Sequence, residues 1–145
     1  MNSSKYIKTT ITKKLISQVM ISGKRSKAEK IVLTSLKQVE QKSNQNAFDV
    51  LLKALKNICP VMEVKSKRVG GGIFQVPFPL GKKKQLTLGI SWLVNSAQNY
   101  SGQSMIACLT KEIVAASKGY GPSVRKRELQ HQLAKRNRAF THFRW

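Results

Sequence analysis

Few side chains in this sequence have the chemistry of a metal ligand, and their spacing does not suit that task. Zinc sites use cysteine and histidine ligands in closely spaced groups. Cys59 and Cys108 each lack a second cysteine two to four residues away, and neither His131 nor His142 completes such a group with a cysteine. We therefore predict no metal site and no cofactor, and we expect two buried thiols outside any disulfide framework.

Catalytic patterns are equally weak. Ser22–Arg25 contains a Gly-Lys pair, but a phosphate-binding loop also needs glycine at position 18 and serine or threonine at position 25. Those positions hold Gln18 and Arg25. Acid–base catalysis usually needs carboxylates or a tuned histidine, yet we expect Glu29 to cap a helix. Three more acids are expected to form ion pairs with adjacent basic residues, namely Glu63, Glu112 and Glu128. The prediction is a protein that is not an enzyme.

Net charge is the unusual feature of the composition. The chain has 27 lysines and arginines against 6 acidic residues, a formal net charge of +21. A free protein with this charge would repel itself and bind many polyanions, so a permanent polyanionic partner is predicted, and nucleic acid is the first candidate. Membrane is disfavoured because no run approaches the ~20 apolar residues that span a bilayer. The charge is also spread along the whole chain and not gathered on one amphipathic helix.

The basic residues form clusters along the chain. Lysine and arginine neutralise phosphates, and arginine also forks onto phosphate or stacks on bases. The last cluster, which lies on or after the sixth predicted helix, contains Lys135, Arg136, Arg138 and Arg144. The residues predicted to bind RNA are Lys13, Lys14, Lys24, Arg25, Lys27, Lys65, Lys67, Arg68, Lys82, Lys83, Lys84, Arg125, Lys126, Arg127, Arg136, Arg138 and Arg144. Three aromatic residues near these cations could stack on unpaired bases, and for the first of them core packing is the alternative: Trp92, Phe143 and Trp145.

Three helices are predicted before residue 60. Apolar residues recur every four positions from Ile7 through Ile11 and Leu15 to Val19, which indicates an amphipathic helix ended by Gly23. Ile16 and Met20 lie beside this stripe. Ser26 and Glu29 have the spacing of a capping box for the second helix, and polar residues 41–45 predict a loop. Pro60 ends the third helix. The expected buried positions of helices two and three are Ala28, Ile31, Val32, Ser35, Leu36, Val39, Ala47, Val50, Leu51, Ala54, Leu55 and Ile58.

After Pro60 the pattern changes to that of strands. Residues 61–69 and 73–78 are rich in β-branched or aromatic residues, which predicts a β-hairpin arm over about residues 61–79. Gly70–Gly72 at its tip take positive φ freely, and close approach to an RNA backbone is a second role open to them. Pro77 and Pro79 predict that the second strand is an exposed edge. A lone hairpin is marginal in water, so we expect the arm to project against a partner.

Three more helices complete the prediction. Lys82–Lys84 are expected in a basic turn before a helix over about residues 85–98. Ser104 caps a fifth helix, and a sixth covers about residues 124–140. The apolar positions expected inward are Leu86, Ile90, Leu93, Val94, Ala97, Met105, Leu109, Ile113, Ala116, Leu129, Leu133 and Ala134. The predicted fold is mainly α, a single RNA-binding domain over residues 1–145 with six helices and one protruding β-hairpin arm between helices three and four.

Three segments together resemble one family, ribosomal protein seven of the small subunit. Residues 21–31, ISGKRSKAEKI, resemble its Gly-Lys-Lys-Ser turn and the helix that follows. Residues 60–77, PVMEVKSKRVGGGIFQVP, resemble its hairpin and are the most specific match. Residues 118–145 resemble its last helix and its Ala-Phe-Ala-His-Tyr-Arg-Trp ending. The order and spacing agree over about residues 6–145.

The resemblance implies a function as well as a fold. It implies a structural protein of the small ribosomal subunit that binds the 3′ major domain of the rRNA and nucleates head assembly. Neighbouring head and platform proteins would be partners, and the exit-site tRNA and mRNA would lie nearby. The RNA-facing residues it implies are Lys24, Arg25, Lys65, Lys67, Arg68, Lys82–Lys84, Arg125, Lys126, Arg127, Arg138 and Arg144.

Departures from the family pattern bear on the compartment. The family's basic N-terminal arm is nearly absent, bacterial members usually continue past the final Arg-Trp, and Ser91 stands where the family has arginine. Gly119–Ser123 carries extra residues. Organellar members resemble this shorter form, so the expected location is the mitochondrial ribosome, with the gene in the organelle. The plastid and the bacterial cytoplasm are the alternatives.

A helix-turn-helix regulator that reads DNA is the alternative function. It would use the turn around Gly23 between the first two helices. Such a protein needs base-reading side chains on one face of a recognition helix and usually a dimer. Charge spread over several elements favours instead a partner that wraps the domain.

Overall fold

A computed structural model describes residues 3–144, with side chains from residue 10 onward. Within that range a two-stranded antiparallel hairpin, β1 (Met62–Val69) and β2 (Gly72–Pro79), lies between the third and fourth of six α-helices. A 3₁₀ helix (Arg138–Phe143) follows the last of them. The predicted fold class and the position of the arm are confirmed. The predictions for Ile7 and Trp145 lie outside the described side chains. The helices are α1 (Ser3–Val19), α2 (Arg25–Ser43), α3 (Ala47–Ile58), α4 (Lys82–Gln98), α5 (Met105–Ser117) and α6 (Pro122–Arg136).

The apolar core joins one face of each helix from α1 to α5. In α1 that face follows the predicted spacing through Ile11, Leu15, Ile16 and Val19. Met20 was expected beside them but is exposed, because the helix already ends at Val19 and not at Gly23. In α2 and α3 the expected positions are buried except for Ile31, which is half-buried. The buried ones are Ala28, Val32, Ser35, Leu36, Val39, Ala47, Val50, Leu51, Ala54, Leu55 and Ile58.

The predicted capping box of α2 is wrong. The helix begins at Arg25, and Lys24 holds the N-cap position without a side-chain hydrogen bond. Glu29 accepts a hydrogen bond from Nε of Arg25 at 2.8 Å, an i,i+4 ion pair along the helix, so Ser26 does not cap. The loop predicted at residues 41–45 is also shorter than expected, because α2 continues to Ser43.

The approach of α3 and α4 depends on a glycine for which no role was predicted. A Cβ atom built on Gly89 would lie 2.7 Å from Sγ of Cys59, a distance that real Cβ atoms do not show. Glycine therefore lets the helix surface reach the end of α3. Cys59 is half-buried, and this burial raises the pKa of its thiol. Cys108 is buried, and both cysteines are free thiols.

The arm has a regular register and a tight tip. Val69 pairs with Gly72, and Met62 pairs with Pro79 at the base. The turn is thus Gly70-Gly71, both at positive φ (55° and 85°), the requirement of a two-residue hairpin turn of the primed type. Gly72, expected in the turn, already belongs to β2.

The base of the arm differs from the prediction of an exposed edge. Val76 is fully buried and Pro77 is buried, because β2 packs against the 3₁₀ helix. The arm therefore projects at its tip and is covered at its base.

Two boundaries after the arm also differ from the prediction. Lys82–Lys84 form the first turn of α4 and not a turn before it. Helix α6 ends at Arg136, and a 3₁₀ helix replaces its predicted last turn. Leu129 and Leu133 were expected inward but are 51% and 45% exposed, while Val124 and Ala134 are buried. The inward face of α6 runs through Arg127 and His131, which occupy the helical positions between those two residues.

Glu112 was expected to pair with a basic neighbour, but it is fully buried. Its Oε1 accepts hydrogen bonds from the backbone N and from the hydroxyl of Ser123, and its Oε2 accepts one from the Tyr100 hydroxyl at 3.0 Å. Burial, this hydrogen bond and the charge of Glu112 raise the pKa of Tyr100 to about 12. The carboxyl group thereby joins the N-terminal end of α6 to α5.

Candidate nucleic-acid interface

The arm base and α4 share a pair of lysines around one carboxylate. Nζ of Lys84 lies 2.7 Å and Nζ of Lys65 lies 3.0 Å from Oε1 of Glu63. Burial acts to raise the pKa of Glu63, but hydrogen bonds and charge from Lys84 and Lys65 outweigh it and hold that pKa below its ordinary value. One carboxylate facing two ammonium groups leaves a net positive site, and the predicted ion pairing of Glu63 is confirmed.

Trp92 lies next to this pair. It is half-buried against the core, as the packing alternative stated. Its ring also lines a pocket of about 250 Å³ together with Lys65 and Lys84. The pocket brings an aromatic surface and two cations together, a combination that suits an unpaired base.

The segment after α6 is held to the arm by hydrogen bonds from side chains to backbone carbonyl groups. Nζ of Lys67 donates to the carbonyl of Phe143 at 3.0 Å. Nε of Arg144 donates to the carbonyl of Pro77 at 2.6 Å. Both cations were predicted to face RNA, and each has part of its hydrogen-bonding capacity directed to the protein.

Three phenylalanine rings lie in the same contact. The ring centroids of Phe74 on the arm lie 5.2 Å from those of Phe140 and of Phe143. Phe140 and Phe143 stack at 6.4 Å. Phe143, predicted as a base-stacking residue, is therefore half-buried among protein rings. The cluster was not predicted, because Phe74 is distant in the chain from Phe140 and Phe143.

A second, larger cavity lies between the arm base, α6 and the 3₁₀ helix. Its volume is about 590 Å³, and its lining includes Lys135, Arg138 and Arg144. Lys135 was assigned to the basic cluster but not to the RNA-binding residues. We use the name arm junction for the cations that the two pockets bring together around the arm base, namely Lys65, Lys84, Lys135, Arg138 and Arg144.

His131 forms one wall of this cavity. Its Nε2 accepts a hydrogen bond from the backbone N of Val61 at 3.1 Å. Burial and the positive charge of Arg127 lower the pKa of His131 below its ordinary value of 6.5. The imidazole is thus held neutral at pH 7.

The remaining predicted cations lie at the surface but are distributed over the molecule. Lys14 lines a small groove with Thr87 and Ile90 of α4, so it lies beside the helix that begins with Lys82–Lys84. Arg125 lies by the turn that starts α6. Lys24, Arg25 and Lys27 lie at the start of α2. Every predicted RNA-binding residue is exposed or half-buried, including those not yet named: Lys13, Lys83, Arg68, Lys126, Arg127 and Arg136.

The described part of the chain has neither a metal-binding cluster nor a helix suited to a membrane. No group of three or more His, Cys, Asp or Glu side chains is arranged there to hold a metal ion. None of the helices between residues 3 and 144 has the length and apolar character needed to cross a bilayer.

Comparison with known proteins decides the family. Residues 1–138 match the family described as Ribosomal protein S7p/S5e. The chain belongs to the S7p/S5e family of ribosomal proteins. The predicted membership of the family of ribosomal protein seven of the small subunit is thereby confirmed. S7p/S5e is a family of ribosomal structural proteins and not a family of enzymes. A match to ribosomal proteins gives no support to the alternative of a DNA-binding regulator.

Individual relatives of the S7p/S5e family agree over most of their length. The chain is 46% identical to small ribosomal subunit protein uS7 of Nitrosococcus oceani, over 91% of this chain and 85% of that one. It is 44% identical to uS7 of Moorella thermoacetica, over 97% and 89%, and 42% identical to uS7 of Methylococcus capsulatus, over 91% and 85%. These organisms are bacteria, so the relatives are consistent with the bacterial alternative and do not support the mitochondrial prediction.

Proposed function

We propose that this protein is a structural component of the small ribosomal subunit and binds the 3′ major domain of its rRNA. One observation carries the proposal. Described cations from α1, α2, the arm, α4, α6 and the C-terminal segment lie at the surface, and the ion pairs within residues 10–144 involve few of them, in a chain whose net charge is +21. A surface of this kind matches a phosphate backbone that contacts several elements at once.

The arm junction is the proposed centre of this interface. Lys65, Lys84, Lys135, Arg138 and Arg144 surround the arm base, and Lys14 lies against α4 nearby. Their ammonium and guanidinium groups would neutralise phosphates. The exposed and half-buried cations at the start of α2 and of α6 would make separate contacts. These are Lys24, Arg25 and Lys27, and Arg125, Lys126 and Arg127 respectively, with Lys13, Lys67, Arg68, Lys82, Lys83 and Arg136 as the remaining proposed RNA contacts.

The arm tip is proposed to have a different role. It carries Gly70 and Gly71 in an open turn, where a Cβ would meet nothing within 4 Å. We place this tip near the exit-site tRNA and mRNA, as family resemblance implies, where it acts by its shape. Removing Gly70–Gly72 and reconnecting the strands removes no charge. Assembly should therefore stay nearly intact, while exit-site tRNA retention or reading-frame maintenance changes in purified ribosomes. Blocked assembly with normal translation by the surviving ribosomes would contradict this division.

Head assembly and protein neighbours belong to the same proposal. The chain would nucleate folding of the rRNA head and then contact neighbouring head and platform proteins. A tagged full-length chain should sediment with small subunits in a sucrose gradient. A matched chain in which Lys65, Lys84 and Arg138 are replaced by glutamine should shift toward the free fraction, since three positive charges are lost while each position keeps a polar side chain. A wild-type chain found only in free or DNA-bound pools would contradict the proposal.

The compartment is a separate proposal. Resemblance to short organellar members favours a mitochondrial ribosome, while the bacterial relatives favour the bacterial cytoplasm, and the plastid is the remaining candidate. Mass spectrometry of purified organellar ribosomes decides between them. Peptides of this chain in the mitochondrial small subunit support the first location, and their absence from every organellar preparation supports the second.

A further inference from the structure

The cavity at the arm base has a composition that phosphate contacts alone do not explain. Its volume of about 590 Å³ falls within the roughly 300–1,000 Å³ of small-ligand sites. Apolar side chains of Val61, Met62, Pro77 and Ala134 form much of its lining. Phosphate is strongly hydrated and gains nothing from such a surface. A ligand with a flat apolar face and a nearby negative charge matches both parts of the site.

We propose that this cavity receives one unstacked base of the bound RNA, with the phosphates flanking that nucleotide held by Lys135, Arg138 and Arg144. The inference rests on the proposed rRNA-binding function and deepens it. Single-stranded loops and bulges present such bases, and proteins bind them on aromatic or guanidinium planes.

Two residues of the cavity wall, Arg144 and His131, are held in place by hydrogen bonds within the protein. Nε of Arg144 is anchored on the Pro77 carbonyl at 2.6 Å, which holds its guanidinium group against β2. His131 is anchored through Nε2 on the backbone N of Val61. A neutral imidazole that accepts at Nε2 carries its proton on Nδ1 and is therefore also a donor. Fixed planar groups lose little conformational entropy when a base stacks on them.

Charge distinguishes an RNA base from a peptide side chain as the occupant. No carboxylate is among the residues that line the cavity, whereas three cations are. A protein segment would have to be acidic to complement them. An RNA strand supplies a base and its flanking phosphates at every nucleotide.

The test fills the cavity without changing charge. Ala134→Met extends a side chain from a residue that is 8% exposed into the space the base would occupy. Ala139→Met is the matched control, because Ala139 is exposed and does not line the cavity. Binding of the full chain to a 3′ major domain rRNA fragment is measured by fluorescence anisotropy over a salt series. Ala134→Met should bind roughly 5- to 30-fold more weakly, the loss expected for one stacked base. Its salt slope should be unchanged, because no phosphate contact is removed, and Ala139→Met should bind like the wild type.

A second measurement uses the wild-type chain, so it does not depend on the folding of a variant. The same fragment substituted with 4-thiouridine or 6-thioguanosine is photocross-linked, and cross-linked peptides are mapped. Cross-links to the peptides that contain Met62 or Ala134 support the inference. If Ala134→Met binds the fragment as tightly as the wild type does, and cross-links map only to other peptides, the inference is overturned. The proposed function is unaffected by that result, because the wild type still binds the fragment. A cross-link from Lys135 to a neighbouring protein in reconstituted subunits, with none to RNA, would overturn it in favour of a protein occupant. A wild-type chain that does not bind the fragment at all would contradict the proposed function itself.

Discussion

The two ends of α6 are held to the molecule by different kinds of interaction. At the N-terminal end, Ser123 donates two hydrogen bonds to the fully buried carboxyl group of Glu112. At the C-terminal end, the segment after Arg136 is held to the arm by half-buried phenylalanine rings and by hydrogen bonds to two carbonyl groups. The first attachment is buried and joins α6 to the core. The second lies at the surface and joins it to the arm.

The difference separates global stability from the position of the arm. When a buried acceptor is removed, its donors remain unpaired in a low-dielectric interior, and the whole fold is destabilised. A half-buried cluster of aromatic rings contributes less to the free energy of unfolding. Its loss increases the mobility only of the elements that it contacts. We therefore expect damage at Glu112 to lower the stability of the whole chain, and damage at Phe74 to loosen the arm alone.

The largest effect should follow Glu112→Ala. This change leaves the backbone N and hydroxyl of Ser123 and the hydroxyl of Tyr100 without their acceptor. The free energy of unfolding should fall by about 2–4 kcal/mol, measured by urea denaturation. Glu128→Ala is the control, since that side chain is exposed and its change should stay within about 0.5 kcal/mol. Equal effects of the two changes would mean that the buried network does not hold α6.

A smaller and local effect should follow Phe74→Ala. The ring loses its contacts with Phe140 and Phe143, which contribute about 1–2 kcal/mol at a half-buried site. Hydrogen exchange should quicken in the arm and the 3₁₀ helix but not in α3 or α5. Ile73→Ala, at a residue that is 73% exposed, is the matched change on the same strand and should leave exchange unaltered. Faster exchange throughout the core would show that the arm attachment is not local.

The smallest effect should appear in the pH dependence of stability. The folded chain holds the pKa of His131 below 6.5, so the unfolded chain binds more protons in the window just below that value. The stabilisation is fully present above pH 6.5 and is lost as pH falls through the folded pKa. Urea midpoints at pH 7.5, 6 and 5 should therefore decrease more steeply for the wild type than for His131→Gln. Parallel curves would contradict the anchoring of Val61 by a neutral imidazole.

Much of the fold was predictable because local and tertiary preferences agree. The spacing from Ile11 to Val19 predicted the buried face of α1 correctly, and Ser104 caps α5 as expected by accepting a hydrogen bond from the backbone N of Ala107. The Gly-rich segment between two β-rich runs predicted the hairpin. The exposed basic residues were predictable as a surface property, because charge density needs no knowledge of packing.

The errors arose where a distant contact overrode the local pattern. Glu112 follows Lys111, but adjacent residues of a helix face different directions, and Glu112 points into the core. In α6 the leucines Leu129 and Leu133 suggested the inward face. Strand β1 packs instead against α6, and the backbone N of Val61 donates a hydrogen bond to the imidazole of His131. No periodicity in the sequence of α6 carries information about a contact with a residue 70 positions earlier in the chain.

The salt dependence of rRNA binding tests the central claim most directly. A chain with a net charge of +21 that neutralises about six to ten phosphates should lose affinity for a 3′ major domain fragment by roughly 10³–10⁵ between 50 and 200 mM salt. The dissociation constant is measured at several salt concentrations by filter binding, with tRNA as the nonspecific competitor. A steep logarithmic slope with binding that survives the competitor is the predicted result. A flat response to salt would contradict an interface built from the exposed lysines and arginines.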